Sequence, residues 1–95
     1  MSAADPILRA VHAAIADLND LRPADQALST EPDAALAAEL DSLGIVNLLL
    51  SVEGSIEQSM GTAISLTDLL EVDPSLSALA TVGSFTALVR SRVGA

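Results

Sequence analysis

Ile7, Val11, Ile15 and Leu18 recur at helical spacing behind Asp5-Pro6, an acid suited to capping a helix and a proline suited to its first position. From Asn19 to Leu40 the periodicity fades among Pro23, Ser29-Thr30 and Pro32, which predicts a long, ordered connection with a short helical turn available to Asp33–Glu39. Asp41 is placed to cap a second helix, whose apolar pattern runs from Leu43 to Ile56 and is stopped by Gly61. Ser65, with Asp68 three residues on, resembles a capping box for a short third helix reaching Val72 and ended by Asp73-Pro74. Thr81 is positioned to cap a fourth, with Val82, Phe85, Leu88 and Val89 facing inward and Arg90 and Arg92 near its negative end. The pattern predicts an all-α fold, a four-helix bundle with a long loop between helices 1 and 2 and a short helix 3. Residues 1–95 are expected to form a single domain.

The second helix carries more apolar side chains than one buried face needs. With Ser42 as zero and about 100° per residue, Ile45, Leu48, Leu49, Val52 and Ile56 gather within roughly 240 to 340°, wide enough for a core face. Leu43, Val46 and Leu50 fall at roughly 40 to 100°, beside Ser42 and interleaved with Glu53 and Glu57. This surplus stripe either packs against the long loop or helix 3, or stays exposed as an acid-rimmed apolar strip suited to docking basic proteins.

Composition narrows the chemistry. The 51% hydrophobic content is inflated by alanine in amphipathic stretches, which favours helix. No stretch approaches the roughly 20 apolar residues of a membrane span, and no basic segment followed by an apolar one opens the chain, so a cytoplasmic protein without membrane insertion is expected. Thirteen acidic residues against four arginines give a formal charge of -9, which repels phosphate backbones, attracts basic protein surfaces and argues against nucleic acid as a partner. With no cysteine, neither a disulfide framework nor a thiolate metal site is available.

The residues for catalysis are sparse. Ser42 as a nucleophile needs a neighbouring base, and the one histidine, His12, stands on the first helix among Arg9, Ala13 and Ala16. His12 also lacks companion ligands for a metal, and Asp68, Glu71 and Asp73 read as a solvated acidic patch. The expectation is therefore no enzyme, no catalytic residue and no metal. A hydroxyl in the first turn of a helix is nevertheless well placed to carry a group, because a phosphodiester there sits near the positive end of the helix dipole.

Asp41-Ser42-Leu43 at the head of an amphipathic helix, near the middle of a short acidic chain with a long first loop, resembles the attachment motif of the acyl carrier proteins and their peptidyl and aminoacyl relatives. The resemblance covers most of the chain. It implies a fold of acyl-carrier-protein type and a 4'-phosphopantetheine on Ser42, transferred from coenzyme A by a magnesium-dependent phosphopantetheinyl transferase. Asp41 and Leu43 complete the motif. Val46, Leu50, Glu53 and Glu57 match the family's partner-docking helix. Cargo would travel as a thioester on the arm, between adenylating, ligase or acyltransferase enzymes with basic docking surfaces, and the carrier is expected to be monomeric.

Gly44 and Asn47 stand where fatty-acid carriers commonly have acidic residues. The run Asp-Ser-Leu-Gly-x-Val-x-Leu-Leu-Leu from Asp41 to Leu50 is instead similar to the segment found in D-alanyl carrier proteins and in stand-alone carriers of specialised pathways. Aminoacyl and small acyl cargo both remain open. The segment Asp73–Ala80 is longer than the usual link between the last two helices. The alternative from another class is an unmodified acidic helical interaction module.

Overall fold

Capping chemistry sets the helix boundaries. The computed structural model of the chain describes residues 5–72 and 77–94. Helix α1 spans Pro6–Asn19, and the Asp5 carboxylate accepts from the N–H groups of Ile7 and Leu8 at its start. Helix α2 spans Ser42–Met60 behind Asp41, whose carboxylate accepts from the Gly44 N–H at 2.7 Å. It ends at Gly61, which adopts φ 66°, a left-handed conformation that only glycine takes without strain, and returns its N–H to Glu57. Helix α3 is the single turn Leu69–Val72, and α4 spans Val82–Val93. The described residues contain no strand, only an isolated antiparallel bridge between Ala35 and Thr81. No described helix is long and apolar enough to cross a membrane.

Helix α1 packs on α2 and, less extensively, on α4. Ile45, Leu48, Leu49, Val52 and Ile56 form the buried face of α2, as the helical periodicity predicts, and join Val11, Ile15 and Phe85 in one apolar cluster. From α4, Val82, Phe85 and Val89 are buried, while Leu88 packs against the cluster partly exposed. Thr86 is buried as well, its hydroxyl satisfied by the Val82 carbonyl at 2.8 Å.

The long connection between α1 and α2, here loop 1, has little regular structure but many ties. Single turns of 3-10 helix occupy Ala24–Gln26 and Ala37–Glu39, the second within the stretch expected to turn. Asn19 uses both ends of its side-chain amide on Leu28, accepting from its N–H and donating to its carbonyl, and Leu28 is buried. Further along, Leu36 is fully buried and its N–H reaches Ala80, while Val82 and Gly83 donate to Ala34 and Pro32. Loop 1 is thus pinned to the end of α1 and to the start of α4.

The approach to α3 differs from the expected capping box. Helix geometry begins at Leu69, after a turn in which Leu69, Leu70 and Glu71 donate to carbonyls three residues back. The N–H groups of Leu66 and Thr67 are taken by the Glu53 carboxylate from α2, and Ser65 contributes its carbonyl, to Arg92. A side chain from a neighbouring helix performs the capping that the local spacing suggested. Arg92 also pairs with Asp68 at 2.9 Å, so Asp68 is tied to α4 and is not a freely solvated acid, while Glu71 is exposed. The proposed stop at Asp73-Pro74 lies outside the described residues, as does the first half of the long Asp73–Ala80 link; its second half holds a 3-10 turn at Ser77–Leu79 with Leu79 buried.

Candidate functional site

Ser42 is the first residue of α2 and is exposed. Asp41, extended at φ -84° and ψ 178°, turns its carboxylate back onto the Gly44 N–H, and its carbonyl accepts from Ile45. This arrangement leaves the Ser42 hydroxyl with no hydrogen bond to a described residue, while the first N–H groups of α2 form the positive end of its dipole. The hydroxyl is therefore accessible, and an anion attached to it would meet a favourable field. His12 lies elsewhere, half-buried in a hollow with Leu8, Thr30, Glu31, Pro32 and Arg90. Among the described residues no three His, Asp or Glu side chains converge as a metal site would require.

The surplus stripe on α2 is largely open. Leu43 is 68% exposed and Leu50 51%, Val46 is half-buried between them, and Glu57 is exposed. Glu53 leaves this group: its carboxylate turns to the backbone before α3, as described above. Leu43, Val46 and Leu50 thus make an apolar ridge descending from Ser42, with Glu57 two turns beyond Leu50 at its end, and Glu53 has a structural task. The helical projection places Glu53 beside Glu57 but does not tell which carboxylate meets a neighbouring loop.

A feature that periodicity does not reveal lies beside the entrance of α2. A cleft of about 500 Å³ opens between the end of α1, loop 1 and the entrance of α2. Arg22 spans it, donating from Nε to the Gln26 carbonyl at 2.8 Å and from Nη1 to the Glu39 carbonyl at 3.2 Å. The signal in the sequence is faint, an arginine beside a proline with both partners reached through backbone atoms.

No family model matches this chain, and neither a curated protein nor a solved structure does so.

Proposed function

We propose that the chain is a carrier of the acyl-carrier type, bearing a 4'-phosphopantetheine on Ser42 and presenting an acyl or aminoacyl thioester to partner enzymes. The observation that carries the reading is an exposed, unbonded hydroxyl at the first position of α2, bordered by the apolar and acidic ridge of Leu43, Val46, Leu50 and Glu57. The residues present fit the group. Ser42 supplies the oxygen, the α2 N-terminus supplies the compensating field for a phosphodiester, and Asp41 holds its own charge against Gly44.

When bound, the group supplies a thiol on a flexible arm, which the chain, lacking cysteine, does not have. The protein's own part is to hold the attachment point on a rigid helix and to offer its partners a surface. With a formal charge of -9, that surface attracts enzymes with basic docking faces, including the phosphopantetheinyl transferase. Residues of this chain bind and present; the chemistry belongs to the visitors.

Incubation with coenzyme A, magnesium and a broad-specificity phosphopantetheinyl transferase, followed by intact mass measurement, tests this directly. The folded protein is expected to gain the mass of one phosphopantetheine and Ser42→Ala to gain none. An unmodified, folded wild type beside a modified control carrier would leave the unmodified interaction module as the better reading.

A further inference from the structure

We infer that the cleft between the end of α1, loop 1 and the α2 entrance is a binding groove for the phosphopantetheine arm, which lies against loop 1 when no partner is docked. This rests on the carrier reading above. The cleft lies next to the attachment point: Asp41 and Leu43, the residues on either side of Ser42, both line it, and a flexible arm has to cross only the rim between them. Its rim holds Leu21, 79% exposed, and Leu43, 68% exposed, the two most exposed large apolar side chains among the described residues. Leucines so placed are available to cover the apolar part of a tethered chain.

The polar lining suits the same occupant. Arg90 and Arg92 are paired with Asp5 and Asp68, whereas both hydrogen bonds of Arg22 go to backbone carbonyls, so its positive charge in the cleft has no carboxylate pair. A phosphodiester on the neighbouring serine gives Arg22 a partner, in a lining that also carries Glu39 and Asp41, the latter's carboxylate already engaged by the Gly44 N–H. The side chains of Gln26 and Asn47, exposed and without hydrogen bonds to described residues, offer donors and acceptors for the arm's amides. The walls are set beforehand: the Arg22 clasp joins the two 3-10 turns of loop 1, and Asn19 fixes Leu28. A groove that needs no rearrangement orders a flexible tether at least entropic cost.

Leu43 belongs both to the rim of the cleft and to the exposed ridge.

The test compares backbone amide chemical shifts of the full chain before and after phosphopantetheine addition, with intact mass reporting the addition itself. Shifts are expected at Leu21, Arg22 and Gln26 as well as at residues 41–44. In Leu21→Ser, a surface change that leaves the fold intact, the mass gain persists while the shifts at Arg22 and Gln26 are lost and the thiol is alkylated faster. A loaded protein whose shifts stay within residues 41–44, or spread to residues 64–70 instead, overturns the groove and leaves the carrier reading standing. Absence of any mass gain defeats the carrier reading first, and the groove with it.

Discussion

Helices α2 and α4 begin alike and are held differently. Each opens behind a polar cap and has a glycine in its first turn, Gly44 in α2 and Gly83 in α4. At α4, Thr81 and Ser84 cap each other, and the N–H groups of Val82 and Gly83 run to Ala34 and Pro32, so the entrance is stitched to loop 1. At α2, a single carboxylate takes the Gly44 N–H, and Asp41, Ser42 and Leu43 all stand exposed. One entrance spends its unpaired N–H groups within the fold; the other keeps them for solvent or an anion. Anchoring loop 1 at α4 and α1 gives the hydroxyl a fixed position without enclosing it.

The two glycines break this comparison most severely if it is wrong. A Cβ on Gly83 would stand 2.9 Å from the Pro32 carbonyl oxygen, a backbone atom held by the Gly83 N–H itself. Gly83→Ala is expected to cost about 1–3 kcal/mol, as overpacking does. A Cβ on Gly44 would meet Asp41 Oδ1, the capping atom, at 3.2 Å and a Leu40 side-chain carbon at 3.3 Å, side-chain contacts that a shift of a few tenths of an ångström relieves. There the helix preference of alanine offsets the crowding, and stability should stay within about 0.5 kcal/mol of wild type. Urea denaturation of both variants decides it; equal losses would mean that the entrances are equally constrained.

The acids of α2 sharpen the contrast next. Glu53 accepts two backbone N–H groups ahead of α3, and Glu53→Ala is expected to destabilise by about 1–2 kcal/mol through their loss. Glu57, exposed and with no side-chain bond to a described residue, should cost less than about 0.5 kcal/mol as alanine, while weakening the interaction with a basic partner. A Glu57→Ala variant as unstable as Glu53→Ala would remove the distinction between ridge and brace. The first hydroxyls behave in parallel: Thr81→Ala should cost about 1 kcal/mol as a lost cap, whereas Ser42→Ala should change stability by less than about 0.5 kcal/mol and lose all phosphopantetheine addition.

These contrasts also mark what the sequence makes legible. The caps at Asp5, Asp41 and Thr81 can be read because each bonds two or three residues ahead, within the reach of local spacing. The buried face of α2 can be read because burial follows the helical repeat. Glu53 and Asp68 cannot, since their partners lie 13 and 24 residues away and depend on how α2 and α4 meet the α3 turn. The cleft is hidden for the same reason: Arg22 closes it on a carbonyl 17 residues on, and no side-chain pattern records a backbone acceptor. For the candidate site, the hydroxyl and the ridge below it are visible in the letters, and the groove beside them appears only when loop 1 is folded.

The smallest effect lies at the far end of α1, where the fold is again stitched to α4. Arg90 pairs with Asp5 at 2.8 Å, and this hydrogen bond above all, followed by the Leu8 N–H, holds the Asp5 carboxyl below its ordinary value of 3.8 against the opposing influence of burial. A carboxyl more acidic in the folded state than in the unfolded chain stabilises the fold at pH values above that ordinary value, and the contribution disappears as pH falls through the lowered one. Asp5→Asn keeps a capping oxygen but removes the charge. The wild type should therefore lead the variant slightly at neutral pH, because Arg90 and Asp5 are partly exposed, and the gap between their urea midpoints should close as pH falls below the ordinary carboxylate value and through the lowered one. A gap that survives acidification would show that the ionised pair is not what joins the start of α1 to the end of α4, leaving apolar packing to hold that end of the molecule.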